Sequence, residues 1–278
     1  MFKTRYKRLQ TIALNTFREA VRQKFFGFLI VLAIAFTVSA HFFRQFDFGG
    51  SELQFIADFG WGAIFLFGSI LAIVATAQLF FSEIENRTAI TLLAKPVSKW
   101  EFLLGKFIGI LLLLAVFTGL LVGLLFVILY LRESALKVLR PEDFAAGGDV
   151  YVFGFFVMGG LQYLKFAILS GITLFICTFS NTNLYSVILG FFVMLVCQLQ
   201  YIARDFWSNL EMPALRYISF LLGKIFPNFQ LFNVADSLIF CGSEHLSMQS
   251  ISLIIGYGSA YVVFFYALSV WSFRTREI

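Results

Sequence analysis

Charge is what this sequence has least of. Of its 278 residues, 21 are Lys or Arg and 16 are Asp or Glu, 13% together against 60% hydrophobic residues, and the mean hydropathy is +0.87. That balance excludes an ordinary soluble domain, because apolar runs of this length would find no interior large enough to hold them. Proline is scarce too, with four residues, so long helices can run uninterrupted. The three cysteines, Cys177, Cys197 and Cys241, form an odd, scattered set without a Cys-x-x-Cys and give no disulfide framework. His41 and His245, the only histidines, show no recognised ligand spacing with Asp47, Cys241, Glu244 or Met248, so a metal site has no support in the sequence. A nucleotide loop is also lacking. Neither Gly105-Lys106 nor Gly223-Lys224 has the glycine five positions earlier, or the following Ser or Thr, that a Walker A loop requires.

What the chain has instead is six apolar stretches, at residues 25–43, 59–81, 102–130, 151–179, 184–202 and 251–273. Each is long enough to cross a hydrocarbon core that takes roughly 20 helical residues. Backbone groups left unpaired in lipid are prohibitive, and the runs lack the alternation of barrel strands, so all six are expected to be helices. The expected fold is an all-α integral membrane protein, a single domain over 1–278.

Basic residues set the expected orientation. One side collects Lys3, Arg5, Lys7, Arg8, Arg18, Arg22 and Lys24, then Arg87, Lys95, Lys99 and Lys106, then Arg274 and Arg276. The other side has fewer, diluted by Asp47, Glu52, Asp58, Glu133, Glu142, Asp143 and Asp149. By the positive-inside rule both termini and the loop at 82–101 are cytoplasmic. The net charge of +5 then reads as topology and contact with anionic lipid, not as nucleic-acid binding. Within residues 1–24, Phe2, Tyr6, Leu9, Ala13, Phe17 and Ala20 recur at helical spacing, which predicts an amphipathic interfacial helix leading into an uncleaved first span. The competing reading is a signal peptide cleaved after Val38-Ser39-Ala40.

The polar loop at 82–101 carries two capping boxes, Ser82-x-x-Glu85 and Ser98-x-x-Glu101. They predict a short helix starting at Ser82, supported by a Glu83–Arg87 pair and stopped by Pro96, and a second helix that starts at Lys99-Trp100 and enters the third span. A rigid helical knob of this kind suits docking; a capped helix in a plain connector is the alternative. The candidate contact residues are Glu83, Glu85, Arg87, Thr88, Ala89, Ile90, Leu92, Leu93, Pro96 and Ser98.

This stretch resembles the corresponding segment of ABC-type-2 exporter permeases, in which an acidic pair, a Thr, a Leu-Leu-x-x-Pro-[Val/Ile]-Ser step and a Leu-Gly-Lys element recur. The matching residues are Glu83, Glu85, Thr88, Leu92, Leu93, Pro96, Val97, Ser98, Leu104, Gly105 and Lys106; Asn86-Arg87 stands where many members have a glycine. The resemblance, nearest to the permeases grouped with multicopper-enzyme maturation, implies a half-transporter of the type V exporter fold in a bacterial inner membrane. Two permease copies, identical or homologous, would work with two copies of a separate ABC ATPase, spans two and five lining their interface. The residues at 82–101 would be the cytoplasmic coupling helix. ATP and Mg would bind on the partner, and this chain would hold no cofactor.

In the outer loop, 203–250, the apolar runs Leu215–Phe226 and Leu231–Phe240 are each too short to span and are broken by Pro227-Asn228. They predict a re-entrant helical pair, which in the resembling family closes the outer end of the pathway; a surface-lying hairpin is the alternative. Lys165, beside Gln162 and Tyr163, is a candidate pathway residue if it lies deep, or snorkels to the interface if the start of span four extends outward. Gln78 and Gln198 are weaker candidates, with helix-to-helix hydrogen bonds as the alternative. An intramembrane enzyme would need converging acid, base or metal groups, which the spans lack. The remaining choice is between a transport permease and a membrane anchor driven by an ABC ATPase.

Overall fold

A computed structural model describes residues 2–39, 52–85, 98–139, 150–208, 225–239 and 247–275. Among them there is no strand, and the helices follow the apolar runs: α1 (Phe2–Arg22), α2 (Lys24–Ser39), α3 (Glu52–Glu85), α4 (Lys99–Leu139), α5 (Val152–Phe179), α6 (Asn183–Ser208), α7 (Ala235–Ile239) and α8 (Met248–Thr275). Among the described residues five stretches are long and apolar enough to cross a membrane: Glu52–Ser82, Lys99–Leu139, Val152–Phe179, Asn183–Gln200 and Met248–Arg274. The α1–α2 pair, bent by 66°, makes a sixth if it counts as one span.

Helix α5 is the axis of the bundle. It packs against α3, α4, α6, α7 and α8, and nearly every position from Leu161 to Thr178 is buried. Among those positions are Gln162, Lys165, Ser170 and Thr173, polar side chains that a bundle interior keeps away from lipid. Helices α6 and α8, by contrast, leave Ile188, Phe192, Leu195, Leu253, Val263 and Trp271 exposed, surfaces suited to lipid.

Helices α3 and α4 form an antiparallel pair hooked at both ends. Near one end the Arg132 guanidinium grips Glu52 with two bonds, 2.6 and 2.8 Å. Near the other, the Lys106 ammonium donates to the Leu79 carbonyl oxygen. Glu52 to Leu79 and Lys106 to Arg132 are equal in length to within one residue, so the two hooks specify one register. At 1.5 Å per residue they lie about 40 Å apart, more than the roughly 30 Å hydrocarbon core.

The structure corrects the expectation of a helix starting at Ser82. Helix α3 runs without a break to Glu85, and the Ser82 hydroxyl, instead of capping a new helix, donates to Glu19 Oε1 of α1 (3.1 Å) and contacts the Leu79 carbonyl oxygen (3.2 Å). Phe80 and Phe81, just before it, are buried, and this packing holds the chain helical where local capping would have started anew. Helix α1, expected to lie in the interface, has a protein partner. It packs along α4 through two glycines: a Cβ at Gly105 would fall 2.7 Å from Ile12 Cγ2, and one at Gly109 2.7 Å from the Ala13 carbonyl oxygen.

Candidate coupling site and outer closure

The predicted docking residues Arg87, Thr88, Ala89, Ile90, Leu92, Leu93 and Pro96 lie outside the described residues, and Glu83 and Glu85 are placed only as backbone in the last turn of α3. The two roots of this loop are well placed. Helix α4 begins at Lys99, where the Ser98 N–H donates to Glu101 Oε2 (3.3 Å) and its carbonyl accepts from the Phe102 N–H (3.1 Å). This is the glutamate half of the predicted capping box. The serine half is not made, since the buried Ser98 Oγ has no partner among the described residues.

Between the roots sits a small aromatic core, separate from the main one. Phe80 and Phe81 of α3, Phe102 and Phe107 of α4, Cys177 of α5 and Phe273 of α8 are buried together. Phe273 meets Phe80 edge-on at 5.8 Å and stacks on Phe102 at 6.3 Å, arrangements that aromatic quadrupoles favour. Lys106 lies beside this core with none of its surface exposed, its ammonium 5.6 Å from the Phe102 ring centre. The carbonyl oxygen gives the buried ammonium a hydrogen-bond acceptor, and a neighbouring ring face adds to this. The Tyr266 hydroxyl donates to the Trp100 carbonyl (3.2 Å) and Lys99 Nζ to that of Arg274 (3.4 Å). The ends of α1, α3, α4 and α8 are thus tied together where the 86–97 segment leaves and returns.

At the opposite end the chain turns inward. Phe229–Phe232 is a 3-10 turn whose first residue follows Asn228; the Asn228 side chain accepts from the Gln230 N–H (2.9 Å). Phe229 and Phe232 are completely buried, and Pro227 is buried as well. The predicted second helix of the outer pair, Leu231–Phe240, is corrected. The chain breaks after Phe232 and resumes as the short α7, because the Asn233 N–H closes the turn on Gln230 (3.0 Å) and leaves the helical path. Three neighbours strap this segment. The Asn228 N–H donates to the Tyr257 hydroxyl of α8 (3.0 Å), Gln200 of α6 donates to the Phe226 carbonyl (3.3 Å), and the Tyr151 N–H donates to the Ile239 carbonyl (3.0 Å). Gly154 of α5 makes room, since a Cβ there would collide with the Leu238 carbonyl oxygen.

Tyr257 and Gln200 escaped the sequence reading. Their signal was polarity within apolar helices, but the group that each holds is a main-chain amide or carbonyl, which has no signature in a sequence. Lys165 is inside the bundle, 4% exposed, its ammonium 5.3 Å from the Phe65 ring centre of α3. Long helical side chains lean toward the helix N-terminus, so Lys165 reaches toward the end that carries the 3-10 turn. Gln78 is half-buried on α3, on the stripe of Asp58, Gly62, Leu66, Ile70 and Val74 that α3 leaves at least partly open. Gln198, on α6, has a buried amide oxygen without a partner among the described residues. Neither glutamine bonds to another helix within the described residues. Among the described residues no hydrogen bond or ion pair joins the three candidates to one another.

The comparison with protein families agrees with this architecture. No curated protein matches the chain. A family model described as ABC-2 family transporter protein matches residues 10–278, nearly the whole sequence and both roots of the loop, and with its apolar helices and tied loop the chain belongs to that family of transporter membrane proteins.

Proposed function

We propose that this permease couples ATP hydrolysis by a separate ABC ATPase to outward movement of a substrate, with residues 82–101 as the element that the ATPase grips. The observation that carries the reading is the construction of the loop's roots. Four helix ends are tied through Lys106, Ser82, Tyr266 and a private aromatic core, so a push that reaches these roots is shared by α1, α3, α4 and α8. The working assembly in this reading is two permease copies, identical or homologous, with two ATPase subunits carrying ATP and Mg. It sits in a bacterial inner membrane with both termini cytoplasmic. The outer segment around Pro227 and Asn228 closes the far end, and Lys165, Gln78 and Gln198 remain the candidates for contact with cargo. The likeness to multicopper-enzyme-maturation permeases describes a sequence group, not a cargo.

The test uses Leu92→Asp and Leu93→Asp. If the loop inserts its apolar side into the ATPase, a carboxylate there is desolvated and costs about 2–4 kcal/mol of the contact, about thirtyfold or more in affinity. Co-purification with the ATPase should fail while the variants still reach the membrane. Full association and transport by both variants would overturn the docking assignment. ATP hydrolysis that persists in proteoliposomes without movement of any solute would favour the anchor reading instead.

A further inference from the structure

Where α1 meets α2, a surface cavity of about 560 Å³ is lined by Asn15, Arg18, Glu19, Arg22 and Gln23, every one of them polar or charged. Arg18 and Arg22 are one helical turn apart on one face of α1, a spacing at which like charges repel, and neither has an ion-pair partner among the described residues. Glu19 is the carboxylate placed to relieve them. Its Oε1 instead accepts from the Ser82 hydroxyl of α3, which holds it at the side of the cavity next to α3. The adjoining stripe of α1 is apolar and open, with Leu14 39% and Val21 42% exposed. The chain then bends by 66° into α2, apolar from Phe25 onward.

We propose that this elbow is a binding site for the phosphodiester of an anionic phospholipid. The guanidinium forks of Arg18 and Arg22 would take the phosphate oxygens in paired bonds, and the amides of Asn15 and Gln23 can donate to the polar headgroup. Leu14 and Val21 enter the acyl region beside it, as in-plane amphipathic helices do. Lipid is favoured over a soluble anion because the cavity opens at the bend where an apolar helix begins, the depth at which headgroup phosphates lie. The site is independent of any ATPase.

The experiment is native mass spectrometry of the full chain, delipidated and then offered phosphatidylglycerol or phosphatidylcholine. Wild type should retain phosphatidylglycerol in excess. Arg18→Gln/Arg22→Gln should cut that excess about fivefold or more, while Lys7→Gln/Arg8→Gln, which removes the same charge from α1 outside the cavity lining, should leave most of it. If the double variant does not fold, Arg18→Gln and Arg22→Gln are read singly, each expected to lose part of the excess. Equal retention of both lipids by wild type, or equal losses in the two double variants, would leave only diffuse charge and overturn the site. Displacement of the lipid by millimolar inorganic phosphate would reassign it to a soluble anion. Retained phosphatidylglycerol with loss of a co-purifying ATPase, in Arg18→Gln/Arg22→Gln, would reassign the surface to a protein partner.

Discussion

Lys106 is a charged residue with no exposed surface, and its neighbours make that tolerable. The ammonium has the Leu79 carbonyl oxygen to donate to and the Phe102 ring beside it, partners that offset the loss of water. Substitutions should therefore rank by what they leave behind. Lys106→Met fills the space but loses the bond, at a cost of about 1–2 kcal/mol. Lys106→Glu buries a carboxylate against a carbonyl oxygen, at about 3–5 kcal/mol or more. In thermal unfolding of the detergent-solubilised chain, the Met variant should melt a few degrees early and the Glu variant should fail to accumulate. Equal behaviour of the two would mean that Lys106 is space-filling. In the sequence Gly105-Lys106 was legible only as part of a resemblance. Its role needs Leu79, contributed by the preceding span, and so was invisible to any local reading.

The docking of α1 is an element-scale feature with a sharp dependence on two glycines. At Gly109 the backbones approach so closely that even a Cβ would press on the Ala13 carbonyl and on Thr16, whose Cβ would be 2.7 Å away. Gly109→Val should push α1 off α4 at a cost of about 1–3 kcal/mol, and since protease access tracks local opening, trypsin should cut at Arg18 or Arg22 about tenfold faster. Unchanged cleavage would show that α1 is held elsewhere. The periodicity of Leu9, Ala13 and Ala20 announced an amphipathic helix but not its partner, since an apolar face fits lipid and protein equally well. The capping boxes divided in the same way. Ser98-x-x-Glu101 marks a real helix start, whereas Ser82-x-x-Glu85 has the same pattern inside a continuous helix, because Phe80, Phe81 and Glu19 supply tertiary contacts that outweigh a local cap worth about 1 kcal/mol.

For the whole molecule, antiparallel α3 and α4 put residues 82–101 and the Arg132–Glu52 hook at opposite ends, and α8 runs from Met248 at the far end to Arg274 beside Trp100. With the basic residues gathered near the loop, single cysteines placed at Asn86 and at Gln249 in a cysteine-free background should react with impermeant maleimide from opposite sides of the membrane, Asn86 from the cytoplasm. Labelling of both from one side would overturn the topology.

Hydrophobic length is a local property set against a fixed bilayer thickness, so the sequence by itself determined that this is a helical membrane protein and roughly where each apolar run lies. The Ser98-x-x-Glu101 pattern likewise marked where the third span begins, a local signal that the Ser98 N–H to Glu101 bond bears out. The tertiary structure alone decided that α3 runs on past Ser82, that α1 is bound to α4, that residues 229–239 form a 3-10 turn and a short helix, and that Lys106 ties the loop's two roots. Each of these depends on a partner brought close by packing from elsewhere in the chain, often a main-chain carbonyl or amide that is chemically the same at almost every residue and leaves no mark in the order of side chains.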